Sequence, residues 1–312
     1  MATKKPKASA KSTKAKTTKP KTAAKTVEKP VSEAPKTKTV GETKPAKKSC
    51  FKGFFSKKYE EKESILTVFK SPKFYGALLG EIIGTALLVL FLFVITITGS
   101  AFSQGAANIA TYIFVLIAIY IAVYAFSGAC LNPIFAAGLM ATRRMSVIRG
   151  VMYIIAEIIG AWLGWLIVNA FHIVGGETSY DVPTMAAIGE GQFWITTMIE
   201  LMGAIIIAFF YARAIKYKRS VFTFAAVVAG GTALAFLVCF LISYVFVSLS
   251  NNYILNPAAA LMYQIFPTAG ENFGEIIAGV GQALAVYALF PMIGGVVGFY
   301  LADFTAKLSE EE

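Results

Sequence analysis

The sequence has few charged residues. Asp, Glu, Lys and Arg make up 15% of its 312 residues, whereas hydrophobic residues make up 56%. A soluble globular domain has about 25% charged residues. The mean hydropathy of +0.64 is correspondingly high. This composition excludes a single soluble domain.

Cysteine and histidine are also scarce. The three cysteines, Cys50, Cys130 and Cys239, lack the paired spacing of a disulfide framework or a zinc site. The single histidine, His172, argues against a His-based metal or acid–base site. We recognise no catalytic nucleophile, metal cluster or phosphate loop, so we predict a non-enzyme without cofactor or metal. No cleavable secretory signal is predicted, because the first apolar run begins near Phe74.

Six apolar runs are long enough to cross a bilayer, which takes about 20 helical residues. They lie near 74–99, 108–127, 148–171, 193–214, 221–248 and 276–302. Two further runs, 132–142 and 256–266, are too short to cross and are predicted to be re-entrant half-helices. Such half-helices are tolerated only where they are buried in protein or line a cavity. We therefore predict an all-α membrane protein with six transmembrane helices and two half-helices.

Basic residues occur in alternate loops of this body. They are Arg143, Arg144 and Arg149 in one loop, and Lys216, Lys218 and Arg219 in another. The intervening loops, 100–107, 172–192 and 249–275, contain no Lys or Arg. By the positive-inside rule, the basic loops and both termini, including the C-terminal tail 303–312, are predicted to be cytoplasmic. We expect a multi-pass protein of the plasma membrane.

The N-terminus carries most of the positive charge. Residues 1–63 contain 19 Lys and 6 Glu, a net charge of +13, whereas residues 64–312 contain 10 basic and 12 acidic residues, a net charge of −2. We predict that residues 1–50 form a disordered tail, because they can bury little apolar surface. Residues 51–73 are predicted to be a juxtamembrane basic and aromatic segment. The tail either binds anionic lipids or nucleic acid, or only fixes topology.

Three motifs recur in the same order in the two halves of the body. Those that begin at Glu81, Leu131 and Glu157 resemble those that begin at Glu200, Leu255 and Pro291. Each half contains three spans, so the second half must be inverted relative to the first. We place repeat 1 at about 74–171 and repeat 2 at about 193–302. Inverted repeats place a functional site near the bilayer midplane, where broken helices meet.

An Asn-Pro pair begins each short apolar run, as Asn132-Pro133-Ile134 and Asn256-Pro257-Ala258. Proline suits the first helical position, and asparagine is a strong N-terminal cap. Because the repeat is inverted, the positive ends of the two half-helices would face each other at the bilayer centre. Such a centre repels cations, and the free amide groups of the asparagines can donate hydrogen bonds to a neutral oxygen.

These motifs resemble those of the major intrinsic protein family, the aquaporins and glycerol facilitators. The stretch from Ser127 to Pro133 is similar to the family's first pore loop, and Asn256-Pro257-Ala258 is similar to its second signature motif. The stretch that begins at Pro291 is similar to the family's last span. The resemblance covers about residues 74–302. It implies an hourglass with one pore per subunit, usually in a homotetramer, that conducts water or small uncharged solutes and excludes protons.

The resemblance also implies a selectivity filter at Tyr112, Tyr244, Tyr253 and Ala259. The family normally has Arg where this sequence has Ala259, so a fixed positive charge and five donors are lost. Three tyrosine hydroxyls remain, and we expect an uncharged, amphipathic filter. The loss of Arg also leaves only the half-helix dipoles to oppose ions.

Two positions favour different solutes. The aromatic residue Tyr253 resembles the glycerol-conducting branch of the family, whereas Tyr287 resembles the water-conducting branch. Ala260 departs from the Asp that is usual in the glycerol branch. We predict a passive channel for glycerol-like solutes and water, and the alternative is a water-selective channel.

Three acidic residues, Glu81, Glu157 and Glu200, lie within apolar spans. A buried acid in a membrane is a candidate functional group, so a proton-coupled transporter is a further alternative. The other interpretation is that these acids accept hydrogen bonds from the loop backbones. The repeat symmetry of Glu81 and Glu200 favours this second interpretation. A third class is an interaction protein whose tail recruits a partner.

Overall fold

The computed structural model describes six stretches of the chain. They are residues 68–101, 105–174, 191–217, 220–244, 253–264 and 280–309. The predicted tail 1–50 and most of the juxtamembrane segment 51–73 lie outside the described residues. The chain divides into Met1–Lys47 and Lys48–Glu312, and every described residue belongs to the second unit.

The regular structure of the described residues is helical, without strands. In chain order the helices are α1 (Pro72–Ala101), α2 (Gly105–Ser127), α3 (Pro133–Ala141), α4 (Val147–Val174), α5 (Phe193–Lys216), α6 (Val221–Ile242), α7 (Pro257–Gln264) and α8 (Phe290–Leu308). A π-helical turn, Ala285–Leu289, leads directly into α8. Within the described stretches, six segments are long and apolar enough to cross a membrane, the last of them Val280–Leu308. The protein is therefore an all-α membrane protein.

The short helices α3 and α7 contain nine and eight residues, too few to cross a bilayer. They occupy the positions predicted for the two half-helices. The α-helix of the fifth span, predicted at 221–248, runs from Val221 to Ile242. Residues 245–252 lie outside the described residues.

The helices of the two halves pack in the same pattern. In the first half, α1 packs against α2 and α4, and in the second half α5 packs against α6 and α8. The short helices cross between the halves, because α3 packs against α8 and α7 packs against α4. Each half therefore supplies part of the surface on which the short helix of the other half rests.

Small residues allow two of these helix pairs to approach closely, as their spacing predicts. A Cβ added to Gly160 of α4 would lie 2.4 Å from the carbonyl oxygen of Ile82 in α1. A Cβ added to the equivalent Gly294 of α8 would lie 2.8 Å from the carbonyl oxygen of Leu201 in α5. The equivalent helix pairs of the two halves thus use the same backbone contact.

We expect Gly160→Ala to destabilise the protein by about 1–3 kcal/mol, the usual range for overpacking. The new methyl group would clash with the backbone of Ile82, which cannot rotate away. The unfolding midpoint of the purified protein in detergent measures this loss. Gly230→Ala is the matched control, because Gly230 is also in a helix interior but has no atom within 4 Å of its added Cβ.

The control should keep or raise the midpoint, since Ala is favoured over Gly in a helix by about 1 kcal/mol. Equal losses in the two variants would contradict a close approach of α1 and α4.

Candidate functional site

An asparagine caps the N-terminus of each short helix. Asn132 is extended, and its Oδ1 accepts a hydrogen bond from the N–H of Ile134 at 3.0 Å. The Oδ1 of Asn256 accepts from the N–H groups of Ala258 and Ala259 at 3.0 and 3.3 Å. A proline follows each asparagine as the first helical residue, where its missing N–H leaves no donor unpaired.

The two caps exchange hydrogen bonds across the centre of the molecule. The Nδ2 of Asn132 donates to the carbonyl oxygen of Leu255 at 2.9 Å, and the Nδ2 of Asn256 donates to that of Leu131 at 3.1 Å. The sequence predicted that both amide hydrogens of each asparagine would be free. One is used in this exchange, and because an amide NH2 has two hydrogens, one remains for a ligand.

The leucine before each asparagine has an unusual backbone conformation. Leu131 and Leu255 both have a φ of 56°, in the left-handed region that side chains disfavour. This conformation is strained, and such strain persists only when the surrounding structure enforces it. Here it accompanies the two carbonyl groups that accept hydrogen bonds from the opposite asparagine.

Acidic residues hold both strained loops through their backbone N–H groups. Glu81 accepts from the N–H groups of Cys130 at 3.0 Å and Leu131 at 2.6 Å. Glu200 accepts from the N–H of Ile254 at 2.7 Å and from that of Leu255 at 3.3–3.4 Å. The side chains of Glu81 and Glu200 are almost fully buried. The two acids therefore occupy equivalent places and make equivalent contacts.

Glu157 adds a third carboxylate, and only at the first loop. Its Oε1 accepts from the N–H of Asn132 at 3.0 Å, whereas its buried Oε2 has no hydrogen-bond partner. The Sγ of Cys130 contacts the carbonyl oxygen of Asn132 at 3.7 Å. The first loop is thus supported from both α1 and α4.

Two buried tyrosines support the first loop and were missed in the sequence. The hydroxyl of Tyr153 donates to the carbonyl oxygen of Ser127 at 3.2 Å. The hydroxyl of Tyr211 lies 3.3 Å from the carbonyl oxygen of Ala129, and its ring stacks on Phe135 with centroids 4.1 Å apart. A buried tyrosine hydroxyl usually needs a partner, so a lone Tyr in an apolar span was the available signal.

A narrow cavity lies beside the two asparagines. The volume of the cavity that the centre of a water molecule can occupy is about 20 Å³. This is room for about one water. Its lining residues are Leu88, Leu92, Tyr112, Leu116, Tyr120, Asn132, Phe135, Ile207, Thr232, Phe236, Ile254, Leu255 and Asn256. None of these lining residues is charged.

The predicted filter residues are only partly brought together. Tyr112 lines the cavity, and its ring meets that of Phe236 edge to face, with centroids 5.6 Å apart. The ring of Tyr253 also contacts that of Phe236, with centroids 5.9 Å apart, but Tyr253 is not among the lining residues of the cavity. Ala259 is fully buried in the first turn of α7 and is not among the lining residues.

Tyr244 is not at this cavity, in contrast to its predicted place in the filter. Its side chain is 71% exposed and stacks on Phe240. Phe236, eight residues earlier and within α6, is among the lining residues of the cavity.

A model of the family described as "Major intrinsic protein" matches residues 68–301. The chain belongs to the major intrinsic protein family. Members of this family are membrane channels, and the predicted family resemblance is confirmed.

Two known proteins are similar to this chain, one in sequence and one in fold. Aquaporin PIP2-7 of Arabidopsis thaliana is 30% identical over 161 residues, which cover 48% of this chain and 56% of that protein. The chain thus matches about half the length of that curated relative. The X-ray structure of the aquaglyceroporin from Plasmodium falciparum has a TM-score of 0.53 at 18% identity, covering 75% of this chain and 96% of that one. This second likeness shows the fold alone.

The far end of α3 is joined to α8 in this major intrinsic protein. Arg144 forms an ion pair with Asp303, and its guanidinium lies 5.6 Å from the ring centroid of Phe299. The hydroxyl of Tyr300 donates to the carbonyl oxygen of Ala141 at 3.0 Å.

No group of three or more His, Cys, Asp or Glu that could hold a metal occurs in the described part of the chain.

We expect Glu200→Leu to destabilise this family member, because the buried N–H groups of Ile254 and Leu255 would lose their acceptor. An unsatisfied buried donor costs about 1–3 kcal/mol. Glu200→Gln keeps one acceptor oxygen and should lose less. The unfolding midpoint in detergent measures both effects.

Thr197→Val is the matched control on the same helix. The Oγ1 of Thr197 is buried without a hydrogen-bond partner, so an apolar replacement of similar shape should be neutral or stabilising. A loss in Thr197→Val as large as that in Glu200→Leu would contradict a specific acceptor role for Glu200.

We expect mercurial reagents to leave channel flux unchanged during a brief exposure. Cys130 and Cys239 are 1% and 0% exposed, and neither is among the lining residues of the cavity. Stopped-flow osmotic measurements with and without mercuric chloride check this. A rapid block that disappears in Cys130→Ser would show instead that this thiol is reached from the pore.

Proposed function

We propose that the protein is a passive channel for glycerol-like small uncharged solutes and water, with its pore centre at Asn132-Pro133-Ile134 and Asn256-Pro257-Ala258. The observation that carries this proposal is the pair of asparagines, which exchange hydrogen bonds and line one narrow cavity. Each asparagine keeps one amide hydrogen with which to bind a passing oxygen.

The chemistry of the cavity supports a neutral, amphipathic solute. Hydroxyl groups of Tyr112 and Tyr120 and the two asparagine amides can hydrogen-bond to a polyol or to water. Leu88, Leu116 and other apolar side chains can contact the carbon side of a polyol. Since no lining residue is charged, an ion would lose hydration without a charged partner, which is costly.

The relatives support the same class of solute without distinguishing its members. One is named an aquaporin and the other an aquaglyceroporin. The cavity has room for about one water, so a water-selective channel is the second candidate. The aromatic residue Tyr253 favours the glycerol-conducting candidate.

Hydrogen bonding of the buried acids supports passive conduction over proton coupling. Glu81 and Glu200 accept backbone N–H groups through their carboxylate oxygens, which gives both acids a structural task. Glu157 accepts from Asn132 in the same way. None of these three acids is among the lining residues of the cavity.

The proposal extends to the membrane and the assembly. The channel domain, residues 74–302, would lie in the plasma membrane as a homotetramer, with both termini and the tail 303–312 in the cytoplasm. Arg143, Arg144 and Lys216 support this orientation through the positive-inside rule. The Lys-rich residues 1–50 would contact anionic lipid head groups.

Stopped-flow light scattering of proteoliposomes tests the proposal. We expect fast shrinkage after a step of sucrose, and fast re-swelling after a step of glycerol, because both water and glycerol pass. The rates should not change when a protonophore collapses the proton gradient. Empty liposomes of the same lipids are the control.

Other results would decide between the alternatives. Fast shrinkage without re-swelling in glycerol would support the water-selective channel. Flux that depends on the proton gradient would support a coupled transporter. Rates equal to those of empty liposomes for both solutes would contradict the proposed function.

A further inference from the structure

Aromatic rings from three separate elements meet at Phe236. Tyr112 belongs to α2, Phe236 to α6, and Tyr253 to the segment that leads into Asn256. The ring centroid of Phe236 is 5.6 Å from that of Tyr112 and 5.9 Å from that of Tyr253. Phe236 therefore contacts two of the three tyrosines that the filter was expected to contain.

We propose that Phe236 is the residue of α6 that sets the size limit of the pore, in place of Tyr244. This inference rests on the proposed channel function and specifies its selectivity. Phe236 lines the cavity together with both asparagines, whereas Tyr244 is 71% exposed. An exposed side chain that stacks on Phe240 cannot restrict a cavity that it does not line.

The contact between the two rings supports this position. Tyr112 of α2 and Phe236 of α6 both line the cavity, and their rings meet edge to face with an interplanar angle of 86°. The two helices therefore both supply an aromatic side chain to the wall of this cavity.

The side chain of Phe236 fits a limit set by size. It has no donor or acceptor, so it contributes bulk and an apolar face, while the lining residues Tyr112 and Tyr120 carry hydroxyl groups. The free volume at the cavity is only about 20 Å³, so a polyol has to displace part of its lining. Truncating the central ring should therefore relax the limit more for longer polyols than for water.

The test compares four variants in proteoliposomes with water, glycerol, erythritol and ribitol as probes. We expect Phe236→Ala to raise the ratio of erythritol to water permeability roughly tenfold, the change produced by a barrier lower by about 1.4 kcal/mol. Phe236→Trp should lower the ratio of glycerol to water permeability. Phe240→Ala, one helical turn further and 41% exposed, is the matched control and should match the wild type.

Tyr244→Ala tests the rival position directly. If Tyr244→Ala changes the polyol-to-water ratios and Phe236→Ala does not, the proposal is overturned. Unchanged ratios in both Phe236 variants, in protein that remains monodisperse in detergent, also overturn it. Phe236→Leu, with a smaller loss of volume, replaces Phe236→Ala if the latter aggregates, and the same direction of change is expected.

The result for the wild type separates this inference from the proposed function. If the wild type conducts neither water nor glycerol, the proposed function fails. In that case flux that appears in Phe236→Ala would support a role of the ring in blocking the passage. A Phe236→Ala variant that stays closed would overturn this inference as well.

Discussion

The structure depends on the exchange of hydrogen bonds between two asparagine amides and two leucine carbonyl groups. Asn132 reaches Leu255 and Asn256 reaches Leu131, so each loop fixes the position of the other. Both leucines whose carbonyl groups accept these bonds have the left-handed backbone conformation. The ends of the two short helices are consequently set by each other rather than by their own sequences alone.

The bilayer makes this arrangement demanding, because irregular backbone inside it needs internal partners for every polar group. Carboxylates supply these partners, and one from each half accepts two successive N–H groups at equivalent places. The support is nevertheless unequal. In the described residues the first loop also has Glu157, Tyr153 and Tyr211. The two halves therefore share one backbone arrangement but differ in the side-chain contacts that stabilise it.

Much of this fold could be predicted from the sequence, because hydropathy determines which segments span a membrane and Asn-Pro pairs mark helix starts. The symmetric acids were also recognisable, since each begins a motif that recurs in the same order in both halves. The selectivity filter stays a prediction. Counting along α6 selected Tyr244, whose side chain is 71% exposed in the structure. The end of a helix and its rotation depend on packing against neighbours, which counting along the sequence does not contain.

The crossing of the short helices between the halves has a consequence for biosynthesis. The helix α3 packs on α8, which begins at Phe290, far later in the chain than α3 does. Since chains are synthesised from the N-terminus at about 5–20 residues per second, α3 is made well before this neighbour. The packing of α3 against α8 can therefore form only after α8 has also been synthesised, so the first half cannot complete its contacts as an independent domain would.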